Sequence, residues 1–366
     1  MRLEQLTFTR YLAALTVVFF HFGQEAFPAT NTWLNPVITA GPIAVSYFFV
    51  LSGFIMAVAY YAPTQKTPAV SFNKWKYWLA RFARIYPVYL IALVLMIGAN
   101  LKTEGSDPLT VLLSLTTLQA WVPGYAMTLN SPGWSISVEM FFYLSFPLLM
   151  LLMSKDKLKY LLVTGAVLWL STQALQIYLH NLDSYAPKTL LHEFIFYHPL
   201  MHINTFVIGF VTGVYFCNGR MDGLNNRWNG VFAFIVTAAI ILALAYEYKI
   251  TATLGFSIVY NNGLITPLFL TLVVLLATNQ GITQKVLAWP VLLLLGEASY
   301  SLYILQRPVF GLYDRTLGKW LDLDANMHFY LFAVLLTILS VVSFKFFETP
   351  VRRMINAYCI SSGKTR

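Results

Sequence analysis

Charged residues are scarce in this chain of 366 residues. Asp, Glu, Lys and Arg together make up 11% of it, whereas hydrophobic residues make up 58%. Soluble domains carry about 25% charged residues, so the composition excludes an ordinary soluble protein and indicates a polytopic membrane protein. No repeat array, low-complexity linker or separate soluble stretch interrupts the apolar segments. We therefore expect a single integral membrane domain over residues 1–366.

Cysteine is also scarce. The chain has two, Cys217 and Cys359, and both fall near predicted cytoplasmic helix ends, which argues against a disulfide. A small-residue cleavage site is missing after the first apolar run, which also contains Arg10. This run therefore predicts a retained spanning helix rather than a signal peptide.

Eleven apolar segments follow one another along the chain. They cover residues 6–23, 38–61, 84–101, 109–121, 134–153, 159–178, 199–217, 229–247, 262–278, 290–310 and 329–347. Most have the roughly 17 to 25 residues that a bilayer requires, but the segment 109–121 has only about thirteen. A segment this short is more typical of a re-entrant or interfacial position than of a crossing.

The distribution of Lys and Arg predicts how the segments are oriented. If the N-terminus is cytoplasmic and 109–121 does not cross, 17 of the 24 basic residues lie inside and five outside, with Arg10 and Arg307 within helices. The positive-inside rule favours this arrangement. The sequence thus predicts an all-α polytopic membrane protein with about ten transmembrane helices, one re-entrant or interfacial segment and both termini cytoplasmic. The net charge of +9 follows from orientation, so no nucleic-acid partner is expected.

Arg10 and His21 lie in the same apolar run, eleven residues apart. Charged groups are expensive in lipid, so an intramembrane Arg and His indicate a functional site. Eleven residues of α-helix turn about 1100° and rise about 16 Å, so both side chains face the same way at different depths.

Glu139 is the acid predicted to stand beside His21. The segment that carries it begins after Ser131 and Pro132, an N-cap and a first-turn proline, and runs inward from the outer face. A carboxylate beside an imidazole orients it and makes it more basic, as a general base for a hydroxyl requires. A purely structural intramembrane ion pair is the alternative.

Arg81 and Arg84 lie three residues apart, on one face of a helix near the cytoplasm. Planar guanidinium groups bind phosphate oxygens two at a time, as a nucleotide-bearing donor requires. A basic loop that merely obeys the orientation rule is the alternative. Their alignment with Arg10 predicts one continuous passage, lined by cations and ending at His21, that holds a long thioester.

Other polar residues are weaker candidates. His198 and His202 have a spacing that permits metal binding, but no convincing third ligand follows, so no metal is expected. Ser52 and Gly53 are interpreted as small packing residues that let helices approach closely; a nucleophile is the alternative.

These residues also carry a family resemblance. The Arg10 to His21 spacing resembles the Arg, ten residues, His pattern of the membrane-bound family-3 acyltransferases, which include bacterial O-acetyltransferases of surface and exported polysaccharides. Further matches occur in order along nearly the whole chain, at Ser46–Phe54, Arg81–Pro87, Trp134–Tyr143, Gly296–Tyr303 and Phe347–Pro350.

The resemblance implies transfer of an acyl group, acetyl by default, from cytoplasmic acyl-coenzyme A to a hydroxyl of a glycan or glycolipid. It also implies a bacterial cytoplasmic (inner) membrane location, His21 as the essential base, and Arg10, Arg81 and Arg84 as donor-binding residues. The residues expected to contact the acceptor or line the cavity are Glu25, Trp134, Ser137, Gln306 and Arg307.

One departure from the family is visible. Gln306 stands where many members have a histidine, so the role of that histidine does not transfer to this chain. We also expect no appended esterase-like domain of the kind that some members carry.

Two other functions stay open from the sequence. The same machinery could acylate a small molecule or a lipid headgroup. A proton-coupled secondary transporter would also carry intramembrane Arg, His and Glu, although the internal symmetry typical of transporters is not visible.

Overall fold

The computed structural model of the chain describes residues 3–61, 72–100, 105–151 and 158–362, the side chains of 358–362 excepted. Several residues used in the sequence predictions lie outside the described ones: the side chain of Cys359, and the basic residues Arg2, Lys66, Lys102, Lys155, Lys157, Lys364 and Arg366.

The described residues form helices and connecting loops. They contain no strand, only an isolated bridge between Asn226 and Asn279, so the all-α prediction is confirmed. The α-helices are, in chain order, α1 Thr7–Phe22, α2 Asn35–Thr39, α3 Ile43–Tyr60, α4 Lys74–Asn100, α5 Pro108–Leu115, α6 Trp134–Leu151, α7 Leu158–His180, α8 Leu190–Tyr197, α9 Pro199–Cys217, α10 Asn229–Ala245, α11 Glu247–Leu254, α12 Thr266–Ala277, α13 Ile282–Leu287, α14 Pro290–Arg315, α15 Leu317–Trp320, α16 Ala325–Ser343 and α17 Thr349–Ser362. A π-helical turn, Phe344–Glu348, joins α16 to α17.

Six helical stretches in the described residues are long and apolar enough to cross a membrane. They comprise α3, α4, α6 with the turn before it, α7, α8 with α9, and α16 continuing into α17. The pair α10 and α11, bent by 57°, gives a seventh if it counts as one span. The chain is therefore a multi-pass membrane protein. Ten spans result only if three more helices are included: α12, which is shorter, α1, which has 16 residues, and α14, which carries Glu297 and Arg307. The count of ten therefore stays a prediction, and so does the cytoplasmic position of both termini.

Glycines allow a close contact between α3 and α9. A Cβ atom added to Gly53 would meet the backbone of Phe206, and one added to Gly209 would meet the backbone of Val50. The two helices can approach this closely only because these positions lack a side chain. The interpretation of Gly53 as a packing residue is confirmed, whereas Ser52 lines a cavity.

A second close contact joins α1 to α14, and it positions the candidate site. Gly296 lies against the backbone of Thr7 near the start of both helices, and Gln306 contacts His21 further along both. The two helices therefore run in the same direction. The pair α3 and α9 does likewise, since Val50 meets Gly209 and Phe54 meets Gly213.

These parallel pairs bear on the short segment 109–121. In the ten-span arrangement both pairs are separated by an even number of crossings, and one extra crossing at 109–121 would make each pair antiparallel. The segment itself contains α5, whose eight residues extend about 12 Å, against a hydrocarbon core of about 30 Å. This geometry agrees with a segment that does not cross.

Candidate functional site

Two polar cavities lie at different levels along α1. The arginine cavity, about 100 Å³, is lined by Arg10, Arg81, Arg84, Glu139, Tyr143 and Tyr303, among others. The histidine cavity, about 490 Å³, is lined by His21, Glu25, Arg307, Asp314 and His328, together with aromatic rings. The two share no lining residue, so the single continuous passage predicted from the sequence is wrong for this conformation.

A layer of side chains on α3 and α14 separates the two cavities. Phe48 and Tyr303 both line the arginine cavity, with their ring centroids 6.0 Å apart. One turn beyond Tyr303, the fully buried Gln306 contacts His21, which lines the histidine cavity. We call Phe48, Tyr303 and Gln306 the dividing layer. The sequence pattern placed Arg10 and His21 on one face of α1, but it gave no sign that α14 inserts between their levels.

The arginine cavity brings together the three arginines predicted to bind the donor. Arg10 comes from α1, whereas Arg81 and Arg84 lie one turn apart on α4. A neighbouring cavity of about 220 Å³ is also lined by Arg10 and Arg84, and it adds Glu348 and Arg352. The two cavities thus meet at the same pair of guanidinium groups.

Within the described residues, these guanidinium groups make few hydrogen bonds. Arg81 donates to Tyr60 Oη at 3.4 Å and to Met56 Sδ at 3.8 Å, while its buried Nε has no partner. In the described part of the chain, no hydrogen bond links Arg10, Arg81 or Arg84 to a carboxylate. Buried cations are normally paired, so three of them around one cavity form a site suited to a polyanion.

Glu139 lies with the arginines and not with His21. Its carboxylate accepts a hydrogen bond from the hydroxyl of Tyr143, one turn later on α6, and both side chains line the arginine cavity. The prediction that Glu139 orients His21 is therefore wrong. The sequence predicted that Glu139 lies at the depth of His21, near the outer end of α1, but α6 presents Glu139 at the level of Arg10.

Gln306 takes the place expected for Glu139. His21 Nδ1 and Gln306 Oε1 are 2.8 Å apart, and Gln306 Nε2 donates to the carbonyl of Tyr303 at 2.6 Å. A neutral amide therefore contacts the imidazole where a carboxylate was predicted. The sequence had marked Gln306 only as a cavity residue and as a departure from the family.

The histidine cavity has a mixed polar and aromatic lining. Arg307 lies over the ring of Phe22, 5.5 Å from its centroid, and its Nε donates to Ser131 Oγ at 2.8 Å. The predicted N-cap role of Ser131 is wrong, because its side chain accepts from Arg307 and makes no cap bond. Glu25 and Arg307 line this cavity as predicted; Asp314 and His328 do so as well and were missed.

Trp134 and Ser137 line neither cavity, contrary to the prediction. The ring of Trp134 packs against Tyr197 and His202, with centroids 5.2 Å apart in both pairs. Ser137 is 1% exposed, and its hydroxyl has no hydrogen-bond partner. Both side chains lie on the face of α6 opposite the cavity. Ser135 and Tyr143 face it instead, four residues either side of Glu139 in helical spacing.

The histidines considered as metal ligands have other contacts. His198 Nδ1 accepts from the backbone of Leu200 at 3.4 Å and caps α9, and His202 Nε2 bonds to the carbonyl of Phe196 at 3.0 Å. Across the described ranges, no group of three His, Cys, Asp or Glu side chains has an arrangement that could hold a metal ion.

Comparison with known proteins gives a consistent result. The family model described as "Acyltransferase domain" matches residues 3–345. The acyltransferase MdmB of Streptomyces mycarofaciens is 29% identical over 333 residues, covering 87% of this chain and 81% of that protein. The O-acetyltransferase OatA of Staphylococcus aureus is 22% identical over 387 residues, covering 96% of this chain but 59% of that protein.

The chain thus spans less than two thirds of the length of the staphylococcal relative. No solved structure matches the chain. The family match covers both cavities and the whole of α1 to α14, from Arg10 through His21 to Gln306. The chain belongs to the acyltransferase family that this model describes.

Proposed function

We propose that the protein is an O-acyltransferase of a bacterial cytoplasmic membrane, which transfers an acyl group from acyl-coenzyme A to a hydroxyl of a glycan or glycolipid. The observation that carries the proposal is the separation of two chemistries by one layer of side chains. Cationic groups suited to phosphates lie on one side, and an imidazole beside a roomier polar cavity lies on the other.

The arginine cavity supports a donor with phosphate groups. Arg84 and Arg352 line the neighbouring cavity, and Arg10 and Arg84 line both, so phosphates bound there would leave the thioester arm directed toward Tyr303. The arginine cavity, about 100 Å³, has room for an acyl end and part of its arm, not for a whole nucleotide. The nucleotide end therefore belongs in the neighbouring cavity or outside it.

The histidine cavity supports the acceptor. Its volume lies in the range of about 300 to 1,000 Å³ typical of small-molecule sites. The rings of Phe22 and Phe310 offer stacking surfaces, and Glu25 and Asp314 offer hydrogen-bond acceptors. A sugar presents both C–H faces and hydroxyl groups, and this lining complements both.

The chemistry follows from the position of His21. Its unprotonated ring nitrogen removes the proton of the acceptor hydroxyl, whose oxygen forms a bond to the thioester carbonyl carbon. The carbon–sulfur bond then breaks, and the leaving thiolate takes the proton from the imidazolium. Arg307, held by Ser131 at the same cavity, lies where its charge would stabilise the negative oxygen of the intermediate. An acyl-histidine intermediate is the variant with one more step.

The donor and acceptor meet only if the dividing layer moves. A side-chain rotation of Tyr303 or Phe48 would join the two cavities, since both rings line the arginine cavity below Gln306. Gating motions of this kind are common in enzymes that exclude water from a reactive substrate.

Transfer of label from radiolabelled acetyl-coenzyme A tests the proposal. The purified protein, reconstituted in proteoliposomes, is supplied with glycan extracted from a strain that lacks the gene. Label in the glycan ester fraction is expected for the native chain, and a loss of about 100-fold or more for His21→Ala. His198→Ala, which removes a histidine that lines neither cavity, is the matched control and should retain transfer. Full transfer by His21→Ala would overturn the assignment of the base.

A further inference from the structure

Gln306 is the side chain with the best-defined geometry at the candidate site, and the acyl-transfer scheme does not use it. It lies on α14, has no exposed surface, and makes two hydrogen bonds of 2.8 and 2.6 Å. One bond goes to the imidazole of His21 and the other to its own helix, at the carbonyl of Tyr303.

The second bond fixes which way the amide of Gln306 points. A carbonyl oxygen accepts hydrogen bonds and cannot donate, so the group that faces Tyr303 O must be the amide NH₂. The reversed amide would bring two oxygens together at 2.6 Å. The amide oxygen is therefore the atom that faces His21.

The first bond then fixes the proton on the imidazole. Because an amide oxygen only accepts, Nδ1 of His21 must carry the hydrogen. A neutral imidazole has one protonated nitrogen, so the lone pair lies on Nε2. The side chain of His21 lines the histidine cavity, where the acceptor hydroxyl is proposed to bind.

We propose that Gln306 is a positioning residue that holds His21 in its Nδ1–H tautomer and thereby makes Nε2 the basic nitrogen. This inference rests on the proposed function for its catalytic meaning, although the tautomer itself does not depend on it. A neutral amide can perform this task without adding a further negative charge to a cavity that already holds Glu25 and Asp314. The fixed charge of Arg307 nearby is then free to act on the reacting oxygen.

The tautomer is measured directly by ¹⁵N NMR on protein labelled at histidine and held in lipid nanodiscs. The chain has six histidines, and the signal of His21 is identified by its loss in His21→Gln. In the native protein Nδ1 is expected to be protonated and Nε2 unprotonated. The opposite tautomer, or an even mixture, would overturn the inference whatever the enzyme does.

Two variants of Gln306 separate positioning from packing. Gln306→Met has nearly the same volume but no amide, whereas Gln306→Glu in its protonated form keeps an oxygen for Nδ1 and an O–H donor for the carbonyl of Tyr303. In Gln306→Met the tautomer signal is expected to become mixed and kcat to fall about 10- to 100-fold with KM for acetyl-coenzyme A unchanged. Gln306→Glu is expected to keep the Nδ1–H signal and most of kcat.

The outcomes distinguish this inference from the proposed function. If both variants lose kcat equally while the tautomer stays fixed, Gln306 acts only through packing and the inference is wrong. If His21→Ala retains transfer, the base assignment fails, but the NMR result still decides whether Gln306 sets the tautomer. Unfolding temperatures measured for each variant show whether the comparison is between folded proteins.

Discussion

Donor binding by Arg81 and Arg84 gives the sharpest test of the arginine cavity. The perturbation is Arg81→Gln and Arg84→Gln, each made singly. Arg84 has no hydrogen bond to the described part of the chain, so its donors are available to a ligand. Arg81 already donates to Tyr60 and Met56, and its Nε is the atom left without a partner.

The magnitude follows from this difference. A hydrogen bond to a charged group contributes about 1.5 to 3 kcal/mol, and about 1.4 kcal/mol corresponds to tenfold in Kd. Loss of one such bond should weaken the binding of acetyl-coenzyme A about 10- to 150-fold. The loss of affinity should be larger for Arg84→Gln than for Arg81→Gln. Two hydrogen bonds of Arg81 already go to Met56 and Tyr60, whereas Arg84 makes none to the described residues.

Calorimetric titration of the purified protein with acetyl-coenzyme A measures these constants. Arg220→Gln is the matched control, since Arg220 is exposed, lies outside both cavities and removes the same charge. The unfolding temperature is measured for each variant, and a weaker Kd in a variant whose unfolding temperature is unchanged assigns the loss to donor binding. An unchanged Kd in both cavity variants, or an equal loss in Arg220→Gln, would refute the assignment of these residues to donor binding.

Three further predictions concern the packing and the dividing layer. Gly209→Ala should lower the free energy of unfolding by about 1 to 3 kcal/mol, because its methyl group would collide with the backbone of Val50. The control is Gly98→Ala, in open space on α4, which should raise the free energy of unfolding by up to about 1 kcal/mol. Chemical denaturation of both variants measures the difference. Glu139→Gln should leave the tautomer signal of His21 unchanged in the NMR measurement, since the two side chains line different cavities; a changed tautomer would contradict the structural placement. Tyr303→Ala should increase hydrolysis of acetyl-coenzyme A without acceptor, measured by thiol release, whereas Tyr303→Phe, which keeps the ring, should not.

The helical architecture and the grouping of the three arginines could be predicted from the sequence for simple physical reasons. Long apolar runs and the bias of basic residues indicate membrane helices and their orientation, and neither depends on tertiary detail. Likewise, Arg81 and Arg84 share a helix face because of their three-residue spacing alone. The structure adds Arg10 to the same cavity, as the alignment along one face of α1 predicted.

Contacts between helices were much less accessible. The choice between Glu139 and Gln306 as the partner of His21 depends on how far α6 and α14 are shifted along α1. A shift of one helical turn is about 5.4 Å, enough to exchange one partner for another. Gly296, which allows α14 to lie against Thr7, sets that shift for α14. The sequence displayed this glycine within a motif, but it did not show which backbone the glycine would meet.

The dividing layer has a consequence for the energetics of the cell. An open water-filled route through a membrane protein would let protons and ions flow down their electrochemical gradients. In the proposed function the two cavities open to opposite sides of the membrane, and Phe48, Tyr303 and Gln306 would keep the two sides electrically insulated while each cavity remains polar. A brief ring rotation would then be enough for an acyl group of a few atoms to pass, whereas ions would be excluded.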